Sequence, residues 1–159
     1  METVNLKKND LNLVGTTGEY LVCAELGKRE ILAVLTPKNN PLFDIIAISR
    51  DAKKSVAIQV KTMSSKNKQG WKFGTNIDNL TENPNLFVVL VNMTPEKDEF
   101  YIYEYDEFAK RVRVVYTQYM SKPKKNGEVR KEVGFRWFDL SDFTDNDKNA
   151  LNKWELLGL

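Results

Sequence analysis

The sequence contains no histidine. A Ser-His-Asp triad, a Cys-His dyad, a histidine-ligated zinc and a histidine general base are therefore excluded. Any catalysis must rest on carboxylates, lysine, hydroxyls or a hard cation held by oxygen. Cysteine is nearly absent too. Cys23 stands alone, so no intramolecular disulfide can form, and a reducing intracellular compartment, the cytoplasm, is the expectation. It lies between Val22 and Ala24 in a helical pattern and reads as core packing, with a reactive thiol as the alternative. No apolar run approaches the roughly 20 residues of a membrane-spanning helix. The opening METVNLKKND lacks the apolar centre of a secretory leader, and no membrane partner is expected. Repeats and low-complexity linkers are missing as well.

What is present is the composition of a globular chain. With 42% hydrophobic and 29% charged residues in 159, a single domain spanning 1–159 can bury a sizeable core. The net charge of +2 says little, but its distribution says more. Arg50 to Lys72 carries seven basic residues against one acid, and Lys110 to Lys131 eight against one. The remainder is net acidic. Such clustering suits an anionic polymer on one face, and it suits two solvated loops equally well.

The periodicity orders the elements. LNLVGTTGEYLVCAELGKRE reads as a first helix, with Asn9 or Asp10 near its start and Gly27 near its end. EILAVLT, LFDIIAIS and SVAIQVKT read as three strands, the last two joined as a hairpin across residues 50–54. MSSKNKQGWKFGT reads as a polar, basic loop carrying Trp71 and Phe73, followed by a helical turn over 77–82. NLFVVLVNM is apolar throughout and reads as a central strand. EFYIYEY alternates like a strand at or near an edge. YDEFAKRVRVVYTQYM reads as a helix, SKPKKNGEVRKE as a hairpin about Asn126-Gly127, GFRWFDL as a strand, and the residues from Asp145 as a terminal helix. The expected architecture is α/β (α+β), a mixed sheet flanked by helices.

Within VAIQVKT, Val56, Ile58 and Val60 alternate with Ala57, Gln59 and Lys61. The hairpin sets Asp44 opposite Gln59 and Lys61. A lone carboxylate on an apolar strand is costly unless it is paired, and a buried Asp44–Lys61 ion pair is the plain structural reading. The first helix shifts the balance. Glu19 shares a stripe with Gly15, Val22 and Leu26, so a second acid faces inward, while Gly15 and Gly18 allow close backbone approach. Glu25 sits at the boundary of that stripe and reads as an ordinary surface acid. Two carboxylates, an amide oxygen and a backbone carbonyl make an oxygen site suited to Mg2+ or Mn2+. A lysine beside it can neutralise charge on a phosphoryl group.

This arrangement resembles the PD-(D/E)XK nuclease superfamily. In that superfamily an α-β-β-β-α-β core presents a helix Glu, a strand Asp and a (D/E)-x-K tripeptide to a divalent metal. GTTGEYLVCAELGK resembles the leading helix of the Holliday-junction-resolvase-like and Mrr-like restriction branches. The resemblance covers about residues 11–92, within a core of about 11–105, and leaves the C-terminal helix and hairpin extension of about 106–159 unexplained. It implies Asp44 as principal metal ligand, with Gln59, the Val60 carbonyl and Glu19 completing the set. Lys61 would position the attacking water and stabilise the transition state, and Thr62 would be structural. The second acid of the tripeptide is Gln59 here, as in the Gln-x-Lys of the Mrr-like branch. That change lowers the charge at the metal and gives Glu19 more weight.

The resemblance implies a metal-dependent endonuclease hydrolysing phosphodiester bonds in DNA. The alternative is a nuclease-fold module with a weakened metal site that binds nucleic acid or a protein partner. Lys66, Lys68 and Lys72 are expected to meet phosphates, with Trp71 as a stacking or wedging ring. The alternative is that the rings anchor the loop to the core and the lysines are solvated, which is the reading for Phe73. Lys122, Lys124, Lys125, Arg130 and Lys131 suggest a second phosphate contact. Trp137, Phe138 and Trp154 read as core or interface. A single site cuts one strand, so cutting a duplex or junction implies a homodimer.

Overall fold

The structure, a computed structural model, describes residues 6–159 apart from residues 39, 65 and 68, with side chains from residue 12 onward. Helix α1 (Leu6–Gly27) leads into strands β1 (Leu32–Leu35), β2 (Ile45–Ile48) and β3 (Ser55–Met63). Strand β4 (Trp71–Gly74) and a 3-10 turn (Thr75–Asp78) precede β5 (Leu86–Asn92) and β6 (Glu99–Glu104). Helix α2 (Tyr105–Ser121), strand β7 (Phe135–Phe138), the single helical turn α3 (Asp145–Lys148) and a 3-10 turn (Trp154–Leu157) follow.

Five strands form one mixed sheet in the order β1-β2-β3-β5-β6. The β2–β3 hairpin is antiparallel, with Ile45 opposite Ile58. β3 and β5 run parallel, which places β3 at the centre. Every residue of β5 is buried, as its unbroken apolar run requires. One face of the sheet is covered by α1 and the C-terminal turn. There Val56, Ile58 and Val60 pack with Val22, Leu26 and Trp154. The other face is covered by α2 and a second, two-stranded sheet of β4 and β7. Helix α2 buries Phe108, Ala109, Val112 and Val115, one apolar stripe at helical spacing. Val112 and Val115 therefore serve the core, while Val114 is exposed. No helix among the described residues is long and apolar enough to cross a membrane.

Three expectations are corrected. The stretch after Met63 is not simply a polar loop, because Trp71 and Phe73 belong to β4 and point inward. Gly70 makes the entry possible. Its φ is +86°, and a Cβ there would lie 2.3 Å from the Phe138 carbonyl oxygen, a position open only to glycine. The Asn126-Gly127 segment forms a tight turn, with Gly127 N–H donating to the Lys124 carbonyl at 2.9 Å, but no strands flank it. Its neighbours are charged and find no sheet edge. β7 pairs instead with β4, setting Trp71 opposite Phe138. The expected terminal helix is broken as well. Asn152 takes φ +53°, and the chain there lies along β6, with Asn152 N–H donating to the Phe100 carbonyl at 2.7 Å.

Candidate active site

Asp44 immediately precedes β2 and is held by strands on both sides. Its N–H donates to the Ile58 carbonyl at 2.9 Å, and its own carbonyl accepts from Thr36 N–H at 2.9 Å. Its carboxylate then replaces the next backbone rung, accepting the Val60 N–H at 2.7 Å. In extended backbone the N–H and C=O of one residue point the same way, so the Val60 carbonyl faces the same gap, where β2 begins.

Helix α1 is brought against this gap by Gly18. A Cβ at Gly18 would lie 1.8 Å from Thr62 Oγ1, so only a glycine lets the helix approach so closely. Thr62 is indeed structural, and its Oγ1 is buried without a hydrogen-bond partner. Gly15 has a different role from the one expected. Nothing lies within 4 Å of a Cβ placed there, because it opens onto a cleft. That cleft, of about 350 Å³, is lined by Gly15, Thr16, Glu19, Thr36, Lys38 and Asp44 among others.

Glu19 and Asp44 thus share one cavity. Burial pushes the Glu19 carboxyl above its ordinary range, the Asp44 charge pushes it further, and Lys38 opposes. Burial also raises Asp44, against the Val60 hydrogen bond and the Lys61 charge. Neither carboxylate forms an ion pair among the described residues. The Asp44–Lys61 ion pair of the plain structural reading is therefore not made. Two desolvated carboxylates that repel each other, with no bonded countercharge, are a site that a cation relieves. No further acid or cysteine joins them as a third ligand among the described residues.

Gln59 and Lys61 stand apart from this cleft. They alternate with Val60 and turn toward the face covered by α2, where Lys61 Nζ lies 5.8 Å from the Phe73 ring centroid. Their link to the cleft is Asp44. Asp44 donates its N–H to the carbonyl of Ile58, the neighbour of Gln59, and the Lys61 charge reaches its carboxylate.

The expected nucleic-acid contacts divide. Lys66 and Lys72 are exposed, whereas Lys68 lies outside the described residues. Trp71 is a correction. It is 1% exposed, donates its indole N–H to the Val91 carbonyl at 3.0 Å and stacks on Phe143, so it has no free face for a base. Phe138 and Trp154 are buried and Trp137 is half-buried. Glu25 is an ordinary surface acid, held below its usual range by hydrogen bonds from Lys28 and Arg29. Thr36 and Lys38 escaped notice in the sequence. The turn PKNNP carries the lysine, but only the return of the chain to β2 aims it at Glu19.

No family model matches the sequence. No curated protein matches it either. Solved structures do. A bacterial homing endonuclease superposes with a TM-score of 0.53 at 15% identity, over 92% of this chain and 93% of its own. A Holliday junction resolvase, Hjc, from the archaeal hyperthermophile Archaeoglobus fulgidus superposes with a TM-score of 0.47 at 15% identity, over 81% of this chain and 86% of its own. The likeness to the homing endonuclease runs through nearly all of both chains, and this chain has a restriction-endonuclease-like fold, a mixed five-stranded sheet flanked by helices.

Proposed function

We propose that this chain is a divalent-cation-dependent endonuclease that hydrolyses phosphodiester bonds in DNA at the cleft between α1 and the start of β2. The observation that carries the reading is the meeting of Glu19 and Asp44 in one cavity, both raised by burial and neither neutralised. This donor set fits a hard cation such as Mg2+ or Mn2+. Glu19 and Asp44 would hold it, with the Val60 carbonyl, which faces the same gap, as a further oxygen. When bound, the cation supplies Lewis acidity and charge for phosphoryl transfer without any histidine. Asp44 is fixed in orientation by the Val60 N–H and so costs little to organise. Lys61, on the other side of Asp44, provides positive charge for the phosphoryl oxygens and a donor that can orient a water. DNA as substrate follows the fold's likeness to a homing endonuclease.

Cutting both strands calls for two copies. The exposed Leu32, Val34 and Ile46 share one face of the β1–β2 pair, and β1 is the outer strand of the sheet. An uncovered apolar edge of this kind is where a second copy would seat.

A specific observation favours the second reading, a nuclease-fold module that binds without cutting. Gln59 replaces an acid, and it lies off the cleft with Lys61. One experiment separates the two. Supercoiled plasmid is incubated with the protein in Mg2+, in Mn2+ and in chelator. Nicking that requires cation and disappears in Asp44→Ala and Lys61→Ala supports the nuclease. Salt-sensitive DNA binding with no nicking in either cation supports the module.

A further inference from the structure

A second cavity, of about 400 Å³, opens between α2 and β7. Its walls are aromatic, with Tyr116 and Tyr119 on the helix and Phe135 and Trp137 on the strand. Its rim is basic. Lys122 lines it, Lys72 Nζ sits 4.4 Å from the Phe135 ring centroid and 5.9 Å from that of Trp137, and the Arg130 guanidinium lies 4.0 Å from that of Tyr119. Asp142 is the one acid in the lining.

The rings are held in place from behind. Arg136, 3% exposed, lies 3.6 Å from the Tyr116 ring centroid and is fixed by Asp78 at 2.7 Å. Phe135 and Trp137 meet edge to face at 6.4 Å. Half the surface of Tyr119 is nonetheless exposed. Rigid rings with free surface cost energy in water, and lysines around them attract a polyanion. Aromatic platforms inside a basic rim suit the bases of a single strand, which stack on any π face while phosphates meet the lysines. In a paired duplex the bases already stack on one another and offer edges and phosphates instead.

We propose that the groove between α2 and β7 takes an unpaired nucleobase, so that the nucleic acid this chain engages carries single-stranded or extruded nucleotides. The inference rests on the nucleic-acid reading of the fold and names the substrate class within it. The groove is built on the sheet face to which Gln59 and Lys61 turn. Strand β4 connects the two places, with Phe73 packing beneath Lys61 and Lys72 reaching over Phe135.

Tryptophan fluorescence tests it without any metal. Trp71 and Trp154 are buried at 1% and 4% exposure, so contact quenching by a base reports on Trp137. The full chain, in chelator and at low salt, is titrated with an oligothymidylate, with an abasic oligomer of equal length and with a blunt duplex. The expected result is saturable quenching by the oligothymidylate and little by the abasic oligomer. Trp137→Phe removes the reporting fluorophore and should abolish the quenching, while binding is read by anisotropy of a labelled oligomer. Tyr119→Ala should weaken that binding about tenfold, as loss of one stacking ring does. Equal binding of the abasic oligomer would mean phosphates alone are held, and the proposal falls. Quenching by none of the three also overturns it. The outcome is separable from the nuclease reading. Cation-dependent nicking with no base-dependent quenching leaves the cleft assignment standing, and base-dependent quenching with no nicking leaves the groove standing.

Discussion

Two kinds of buried or half-buried carboxylate divide this molecule. On the far side, Asp147 is 2% exposed and fully answered. It accepts from Thr144 N–H at 2.7 Å, from Thr144 Oγ1 at 2.9 Å and from Arg111 Nε at 3.0 Å. Asp78 is likewise paired with Arg136. Near the start of β2, Asp44 has one backbone N–H, and Glu19 leans toward it across a cleft with no ion pair. The first kind ties β7 and the C-terminal turns to α2 and the 3-10 turn. The second leaves charge unsatisfied beside open volume. Burial with partners stabilises or specifies a fold, and burial without them keeps a group ready for a ligand.

The sharpest way to break this contrast is at Asp44. Asp44→Ala should reduce cation-dependent nicking at least about a hundredfold while changing unfolding free energy by no more than about 1 kcal/mol. Plasmid nicking and urea denaturation measure the two sides. A large stability loss would move Asp44 into the first group. Arg136→Ala should behave in the opposite way. It strands Asp78 and removes the cation behind Tyr116, and should cost about 3 kcal/mol by urea denaturation. Between these lies the contact that positions the cleft. Gly18→Ala drives a methyl into the stiff side chain of Thr62 and should destabilise by about 1–3 kcal/mol. Gly15→Ala meets nothing and should stabilise the helix by about 0.5–1 kcal/mol.

The smallest effect is in pH. Glu19 and Asp44 have folded-state pKa values raised above their unfolded ones. Their contribution to stability is therefore fully present below the ordinary carboxylate range and is lost as pH rises through the raised values. In chelator, the Glu19→Gln, Asp44→Asn variant should exceed the parent in stability near about pH 7, and this advantage should shrink toward about pH 4. Parallel thermal melts at the two pH values measure it, and an advantage that does not change with pH would remove the case for unsatisfied charge.

Much of this was legible locally. The alternation of β3, the unbroken apolar run of β5 and Gly18 of α1 each have one physical solution, and the structure adopts it, whereas Gly15 opens onto the cleft. Glu19 and Asp44 were identifiable because acids on apolar stripes require an explanation. Trp71 was misplaced because its strand partner is Phe138, far along the chain, and a four-residue strand with a distant partner leaves no periodic trace. Asn126-Gly127 marked a turn correctly, but a turn signal cannot supply the pairing surface that strands need. The aromatic groove was invisible for the same reason. Trp137 reads singly as a core or interface residue, and Tyr119 carries no signal of its own.

The sequence by itself determined which residues can do chemistry: with no histidine and one cysteine, only oxygen donors and lysine remain, and covalent identity does not depend on packing. The tertiary structure decided which of them meet. Glu19 reaches Asp44 because Gly18 lets α1 settle against Thr62, whereas Gln59 and Lys61 share a strand with Val60 yet turn to the opposite side from it. The period of two along a strand assigns residues to faces, but only the packing of helices on the sheet decides which face becomes a cleft.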